Sequence, residues 1–381
     1  MRIDLDHAAT TKPAEAVIRA VMDCLTEHYG NASSLHRMGL DAQLVMDGAR
    51  KHIADSIGAA PQEVLFTSGA TEASNLALRG AAAVYGKRKR HIITSAVEHA
   101  SVRSTMDALE ETGFTVTRIL PGADGLFHRE DFLQAVTDDT CLVSMMRVEN
   151  ETGSLLPVAE VFRFIKKKHP QIITHCDAVQ AFMKFPIHVD DLHADLMSLS
   201  AHKIHGAKGV GALYIRRGIR LSPIVTGGKQ ERGLRPGTEA SPLIAGFGAA
   251  VELMQPTREE RFVKAQALHD LLIERLAKMD GITLNSHPQG SPYIVNFSVQ
   301  GIRSETMLHF LESRDIYVSS GSACSKGARS GVLSAYGIPD DRADSAIRVS
   351  FDEHTTEEEL EILLRTIREG QETLIHKKAS F

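Results

Sequence analysis

Ser200-Ala201-His202-Lys203 closes an apolar stretch and runs into the glycine-rich Gly206–Gly211. A lysine placed there can be held on a stiff element and aimed at a carbonyl group. To form a Schiff base its ammonium must also shed a proton, which burial and nearby positive charge favour. The glycine run lacks P-loop spacing and leads into a strand, so a nucleotide loop is a poor reading of it. Asp177, in Thr174-His175-Cys176-Asp177-Ala178-Val179-Gln180, ends another strand. Its carboxylate could keep a proton on the ring nitrogen of a heterocyclic cofactor, with Gln180 reaching a neighbouring ring oxygen. It could equally cap the next helix. Zinc bound by His175, Cys176 and Asp177 is disfavoured, because consecutive strand residues point to opposite faces.

Ser68-Gly69-Ala70-Thr71-Glu72 joins a strand to a helix, and free N–H groups at such a junction receive phosphate readily. The same residues also suit a plain threonine-capped turn. Glu98-His99 follows the strand His91–Ser95 and sets an imidazole at the same sheet edge, able to stack on a planar ring or move protons near neutral pH. Asn150 follows a further strand, and ligands of open α/β sheets collect at that edge. Ser319–Gly327 is a loop of small residues carrying Cys324, with Lys326 placed to favour thiolate. Arg348, in the apolar Ile347-Arg348-Val349-Ser350, needs an anion: a substrate carboxylate or a buried structural partner.

The elements behind these residues alternate. Glu63–Thr67, His91–Ser95, Thr115–Leu120, Cys141–Val148, Gln171–Asp177, Leu196–Ser200 and Ala212–Ile215 read as strands, apolar enough for cover on both faces. Thr71–Tyr85 and Val158–Lys168 have helical spacing, so the class is α/β with a mostly parallel sheet. Beyond Met254 the texture changes. Arg258–Met279 is an amphipathic helix and Tyr293–Val299 alternates as a half-buried strand. Thr356-Glu357-Glu358-Glu359 opens a last helix with a capping box. A large domain over residues 13–254 is expected, with a smaller α+β domain from 1–12 and 255–381 that carries the Cys324 loop.

Composition sets limits. The chain has 381 residues, 43% hydrophobic and 24% charged, with a net charge of −5. That suits a globular protein with no need of nucleic acid as a partner. The basic run Lys87–Arg90 reads as a solvated helix end. No stretch has the length and apolarity of a membrane span or a signal peptide. Cys24, Cys141, Cys176 and Cys324 are far apart with no CxxC pair, which points to a reducing, cytoplasmic setting and to no metal site.

Taken together, these residues resemble the cysteine desulfurases, fold-type I pyridoxal-phosphate enzymes with a seven-stranded, mostly parallel sheet. The likeness runs from Asp6-His7-Ala8-Ala9-Thr10-Thr11 to Ile347-Arg348-Val349-Ser350. It includes Gly30-Asn31-Ala32-Ser33-Ser34-Leu35-His36 and Gln230–Thr238. It implies that Lys203 carries pyridoxal 5'-phosphate, with Asp177 and Gln180 on the ring and His99 stacked over it. Asn150 and Arg348 would bind the substrate, L-cysteine, with Asn150 also near the cofactor. Ala70, Thr71, Ser200 and His202 would hold the phosphate, joined by Thr238 from the other subunit of a homodimer. Cys324 would take the sulfur as persulfide, pass it to an acceptor protein for iron–sulfur assembly or tRNA thiolation, and could hold a cluster transiently. Other pyridoxal enzymes of the fold, such as a selenocysteine lyase or an aminotransferase, and a cofactor-free scaffold are the rival readings. Arg147-Val148-Glu149-Asn150-Glu151 departs from the usual His-Val-Asn-Asn-Glu, so Glu149 is expected to add a carboxylate near the site.

Overall fold

The structure is a computed structural model of the chain and describes residues 2–320 and 330–374. The chain enters as β1 (Ile3–Asp4). It then supplies β2 (Val64–Thr67), β3 (His91–Ser95), β4 (Thr115–Ile119), β5 (Thr140–Met146), β6 (Ile173–Asp177), β7 (Leu196–Ser200) and β8 (Gly211–Ile215). These seven strands form one sheet in the order β2-β8-β7-β6-β5-β3-β4. Only β8 runs against its neighbours, pairing antiparallel with β2 and β7. The carboxyl ends of β2, β7, β6, β5 and β3 therefore open on one edge, as the resemblance implied.

Burial explains the strand composition. Every residue of β2, β3, β5, β6, β7 and β8 is buried, because helices cover both faces. Helix Ala70–Tyr85 follows β2 and lays Ala73, Ala77 and Ala81 against the sheet, where short side chains permit close approach. Helix Val158–Lys168 ends in Lys166–Lys168 at its negative pole, and Lys166 pairs with buried Asp195. The expected strands differ from the observed ones by at most two residues at either end. His175 and Cys176 do face opposite sides. The imidazole lies between Ser144 Oγ (2.8 Å) and Ser198 Oγ (2.9 Å), while the thiol joins the apolar core.

The remaining strands are β9 (Ile282–Leu284), β10 (Ile294–Val299), β11 (Ile316–Tyr317) and β12 (Ala346–Ser350). They give a three-stranded antiparallel sheet, β12-β10-β9, and the parallel pair β1-β11. A second core gathers Ile3, Leu5, Leu268, Leu272, Phe297, Val349 and Leu363. The expectation of a half-buried strand at Tyr293–Val299 is corrected here: all of β10 is buried. Its polar residues face other protein instead of water. Asn296 Nδ2 donates to the Glu151 carbonyl at 3.1 Å, and Ser298 Oγ to that of Arg342 at 2.7 Å. The capping box forms as read, with Thr356 N–H donating to Glu359 Oε2 at 2.8 Å.

Gly211 is where β8 passes closest to the turn before the first large-sheet helix. A Cβ there would lie 2.6 Å from the Leu199 carbonyl oxygen and 2.7 Å from the carbonyl carbon of Gly69, both rigid backbone. Gly211→Ala is expected to lower stability by about 1–3 kcal/mol, as overpacking of a filled interior does. Denaturant unfolding against the wild type measures it, and an unchanged midpoint would show that the sheet absorbs the methyl group.

Candidate active site

The strand ends surround a cavity of about 840 Å³. Lys203 sits in the turn Ala201–Lys203 directly after β7, and its ammonium donates to the carbonyls of Ala8 and Ala9, the latter at 2.7 Å. Burial, with Arg348 and Lys184 nearby, pulls its pKa from 10.5 down to about 7. Asp177, at the end of β6, is buried and its carboxyl lies above the ordinary range. Desolvation dominates, opposed by the charges of His99 and Lys203 and by the Val179 N–H at 3.0 Å. His99 caps helix Ala100–Glu111. Its Nδ1 accepts from the Ser101 N–H at 3.2 Å, which leaves Nε2 as the protonated nitrogen. Burial pushes the pKa of this ring down, opposed by Asp177, with Lys203 and Arg103 adding to the downward shift.

The opposite end suits an anion. Ala70 and Thr71 begin a helix of 16 residues whose N-cap, Gly69, makes no side-chain cap. Ser200 and His202 complete that wall, and burial lowers His202 to about 4, so the ring is neutral. Asn150 and Arg348 line the far side, each with a buried polar atom lacking a hydrogen bond: Asn150 Oδ1 and Arg348 Nε. Arg348 is otherwise engaged, by Asp6 Oδ1 at 2.8 Å and the Asn150 carbonyl at 2.8 Å. Gln180 Nε2 donates to the Ala8 carbonyl at 2.9 Å. A carboxylate, an amine, a neutral imidazole and a helix N-terminus around one cavity fit a planar, phosphorylated pyridine aldehyde such as pyridoxal phosphate.

One expectation is corrected, that for Glu149, while Thr238, expected to act from the other subunit, lies on the surface of its own chain. Thr238 does not line this cavity within the chain. Its segment is pinned where Glu231 meets Arg50 at 2.7 Å and the Phe66 N–H at 2.9 Å, leaving Gly237 and Thr238 exposed. Glu149 is also absent from the cavity wall. Its carboxylate turns back to accept from the N–H groups of Glu151 (2.7 Å) and Thr152 (2.6 Å), so it shapes the turn and adds no charge to the site surface. Cys324 and Lys326 lie outside the described residues. The other three cysteines are buried, and desolvation raises each thiol.

The structure adds groups that sequence reading left without a role. Glu151 lines the cavity and accepts from Ser330 Oγ at 2.5 Å. Asp6 holds Arg348. Glu98 is wholly buried: Oε1 accepts from Ser95 Oγ and the Met146 N–H, and Oε2 has no hydrogen bond. The sequence carried a signal for this last one, a carboxylate beside His99 and next to an apolar strand.

The aminotransferase class-V family model matches residues 3–363. The cysteine desulfurase IscS of Enterobacter sp. (strain 638) is 41% identical over 374 residues, covering 96% of this chain and 92% of that protein. A solved structure described as a NifS-like protein superposes with a TM-score of 0.93 at 38% identity, spanning 98% of this chain and all of its own. Another, SspA in complex with cysteine, gives 0.82 at 33% identity over 93% of this chain and all of its own. The chain belongs to the class-V aminotransferases and, among them, to the cysteine desulfurase family.

Burial raises Glu98 from 4.5 to about 8, with Ser95 and Met146 opposing the shift and Asp177 adding to it. A carboxyl whose folded pKa is raised contributes stability that is complete below about pH 4.5 and is lost as the pH climbs through about 8. Glu98→Gln stays uncharged throughout. Its melting temperature relative to wild type should therefore rise steadily between about pH 5 and pH 8.5. Calorimetry across that range decides it, and a constant difference would mean that Glu98 is ionised in the folded protein.

Proposed function

We propose that the protein is a pyridoxal 5'-phosphate-dependent cysteine desulfurase that converts L-cysteine to L-alanine and passes the sulfur through Cys324 to an acceptor protein. The observation that carries this reading is the buried Lys203, with its pKa near 7, set between Asp177 and the helix N-terminus at Ala70. Pyridoxal phosphate, when bound, supplies an electron sink that acidifies the Cα proton of an amino acid and loosens a bond at Cβ. Lys203 would hold it covalently, Asp177 would keep the ring nitrogen protonated, and His99 would stack against the ring. Gln180, Ser200, His202, Ala70 and Thr71 would hold its oxygens and phosphate. Asn150 and Arg348 would take the substrate carboxylate, for which Arg348 Nε is free.

Lys203, whose pKa burial brings down to about 7, would take and return the Cα proton. Cys324 as thiolate would attack the substrate sulfur: an S–S bond forms, the Cβ–S bond breaks, and its electron pair is protonated at Cβ to give alanine. The persulfide then moves to an acceptor protein for iron–sulfur assembly or tRNA thiolation. Widely spaced, buried free thiols support a cytoplasmic setting. Among the described residues no helix is long and apolar enough to cross a membrane. The second core supports a division of the chain near residues 12 and 254, although Ala265, Tyr293, Ile294 and Val332 pack into the first.

Exposed apolar surface supports a homodimer. Helices Glu15–Thr26 and Arg37–Ile57, with the segment between them, leave Met22, Leu25, Tyr29, Leu35, Leu40 and Leu44 more than half exposed. Large apolar side chains left in water favour burial against a partner. With Thr238 exposed, a second copy seated there would bring that hydroxyl to its partner's phosphate site. Sedimentation should show a dimer, and Leu25→Glu with Leu44→Glu should yield monomers that retain cofactor poorly; a fully active monomer would overturn this.

Cys324→Ser should keep the yellow cofactor yet release no alanine from cysteine, because a serine alkoxide is scarcely available near neutral pH. Cys24, Cys141 and Cys176 changed to serine should each leave turnover largely intact. Lys203→Ala should lose the cofactor adduct that borohydride fixes to the wild-type peptide. Alanine release from Cys324→Ser at the wild-type rate would end the persulfide reading, and label on another lysine would end the assignment of Lys203.

A further inference from the structure

Beside the Lys203 turn, two imidazoles face two carboxylates from consecutive residues. His205 Nδ1 lies 3.0 Å from the Lys12 carbonyl oxygen, and His7 Nε2 lies 2.8 Å from that of Asp4. A carbonyl only accepts, so those two nitrogens carry the protons. The other nitrogen of each ring is then a lone pair in the neutral form. His205 Nε2 is 3.1 Å from Glu353 Oε2, and His7 Nδ1 is 3.4 Å from Asp352 Oδ2. A lone pair set against a carboxylate is repulsive unless positive charge lies between them, either as protons or as a metal ion.

The geometry discriminates. At 3.4 Å the His7 contact is longer than N–H···O bonds run, and His7 Nδ1, on a side chain only 9% exposed, has no hydrogen-bond partner. Ligand atoms of His205, Asp352 and Glu353 all lie within 4.8 Å of one another. Around a tetrahedral ion with bonds of 2.0–2.1 Å, neighbouring ligand atoms stand about 3.3 Å apart. The two measured separations bracket that spacing. Asp352 Oδ1 accepts from the N–H groups of His354 (2.8 Å) and Thr355 (3.1 Å), which orients the carboxylate. Imidazoles anchored through their second nitrogen to a carbonyl are the usual outer shell of a metal site.

We propose that His7, His205, Asp352 and Glu353 bind one divalent cation of the zinc type, its charge balanced by the two carboxylates. Nearby cations do not consume those carboxylates. Arg261 donates to the carbonyls of Met183 and Met254, Lys264 to the backbone oxygen of Glu353, and Lys184 reaches Gln180 Oε1 at 3.5 Å. Binding would draw in the remaining ligand pairs. It would also clamp three segments together: the strand-like entry that runs on into Ala8 and Ala9, the turn after Lys203, and the exit of β12 that carries Arg348. The site is structural and takes no part in the sulfur chemistry.

The test uses chelator-treated holoenzyme carrying Cys324→Ser, so that this thiol does not compete for metal. Calorimetric titration with zinc chloride should show one saturable equivalent per chain and a higher melting temperature with zinc. Glu353→Gln and His7→Gln should each weaken binding at least about tenfold and abolish the thermal shift. If no equivalent binds, or if both variants bind as tightly as the parent, the site does not exist and the imidazoles are protonated ion-pair partners. Should the variants not fold, anomalous diffraction at the zinc edge from soaked parent crystals decides: a peak between His205 Nε2 and Glu353 Oε2 supports the site, and no peak there refutes it.

Discussion

A lysine amine in water holds its proton until about pH 10.4, and a group that must give and take protons near neutrality cannot stay there. Most of the site's arrangement follows from removing Lys203 from water. Desolvation supplies the largest part of its downward shift, and the positive charges of Arg348 and Lys184 add to it. Fully surrounding the amine with carboxylates would undo that effect. The chain instead offers it two backbone carbonyls, of Ala8 and Ala9, which satisfy its hydrogen bonds as dipoles without a full counter-charge. Asp177 and Asp6 pull weakly the other way. The N-terminal segment thus belongs to the site because an uncharged acceptor had to be brought to an amine at the sheet edge.

The same desolvation raises the carboxyl groups around the cavity, and their neighbours set how strongly it is opposed. Asp177 lies near His99 and Lys203, which favour its charged form. Glu98, on the same cavity wall, has the hydroxyl of Ser95 and the N–H of Met146 but, among the described residues, no cation beside it, and desolvation with the charge of Asp177 raises it to about 8. Two carboxylates ionised side by side would repel, which is why the charge of Asp177 adds to the upward shift of Glu98. On the far side Glu149 spends both oxygens on backbone N–H groups and a hydroxyl, so that Glu151, facing the cavity, meets Ser330 and the field of Arg348 and Arg103.

How much of this could be read beforehand depended on sequence distance. Strands buried on both faces announce themselves as unbroken apolar runs. The sheet, its edge and the strand-end positions of Lys203, Asp177 and His99 were accordingly legible. β10 misled because Asn296 and Ser298 alternate with apolar residues as a solvent face would, whereas their partners are Glu151 and Arg342 from elsewhere in the fold. The Asp6–Arg348 pair, the Ser330–Glu151 bond and the meeting of His7 and His205 with Asp352 and Glu353 join residues more than a hundred positions apart. No spacing rule carries such a signal. Cys324 rests on sequence reasoning alone.

The segment Leu5–Thr11 makes these separate facts one. Its Asp6 fixes the Arg348 guanidinium, the Ala8 carbonyl takes both Lys203 and Gln180, the Ala8 N–H meets Ser350 Oγ at 2.8 Å, and Thr11 Oγ1 donates to the carbonyl of His202 just before the lysine. Arg348 is also tied through its backbone to Ser319, with N–H···O distances of 2.7 and 3.1 Å. Arg348 Nε stays open to a carboxylate while Asp6 and the Asn150 carbonyl hold the other two nitrogens of the guanidinium in place. Asp6 on the guanidinium of Arg348 and the Ala8 carbonyl on the amine of Lys203 thus tie the two ends of the cavity to one short stretch of backbone.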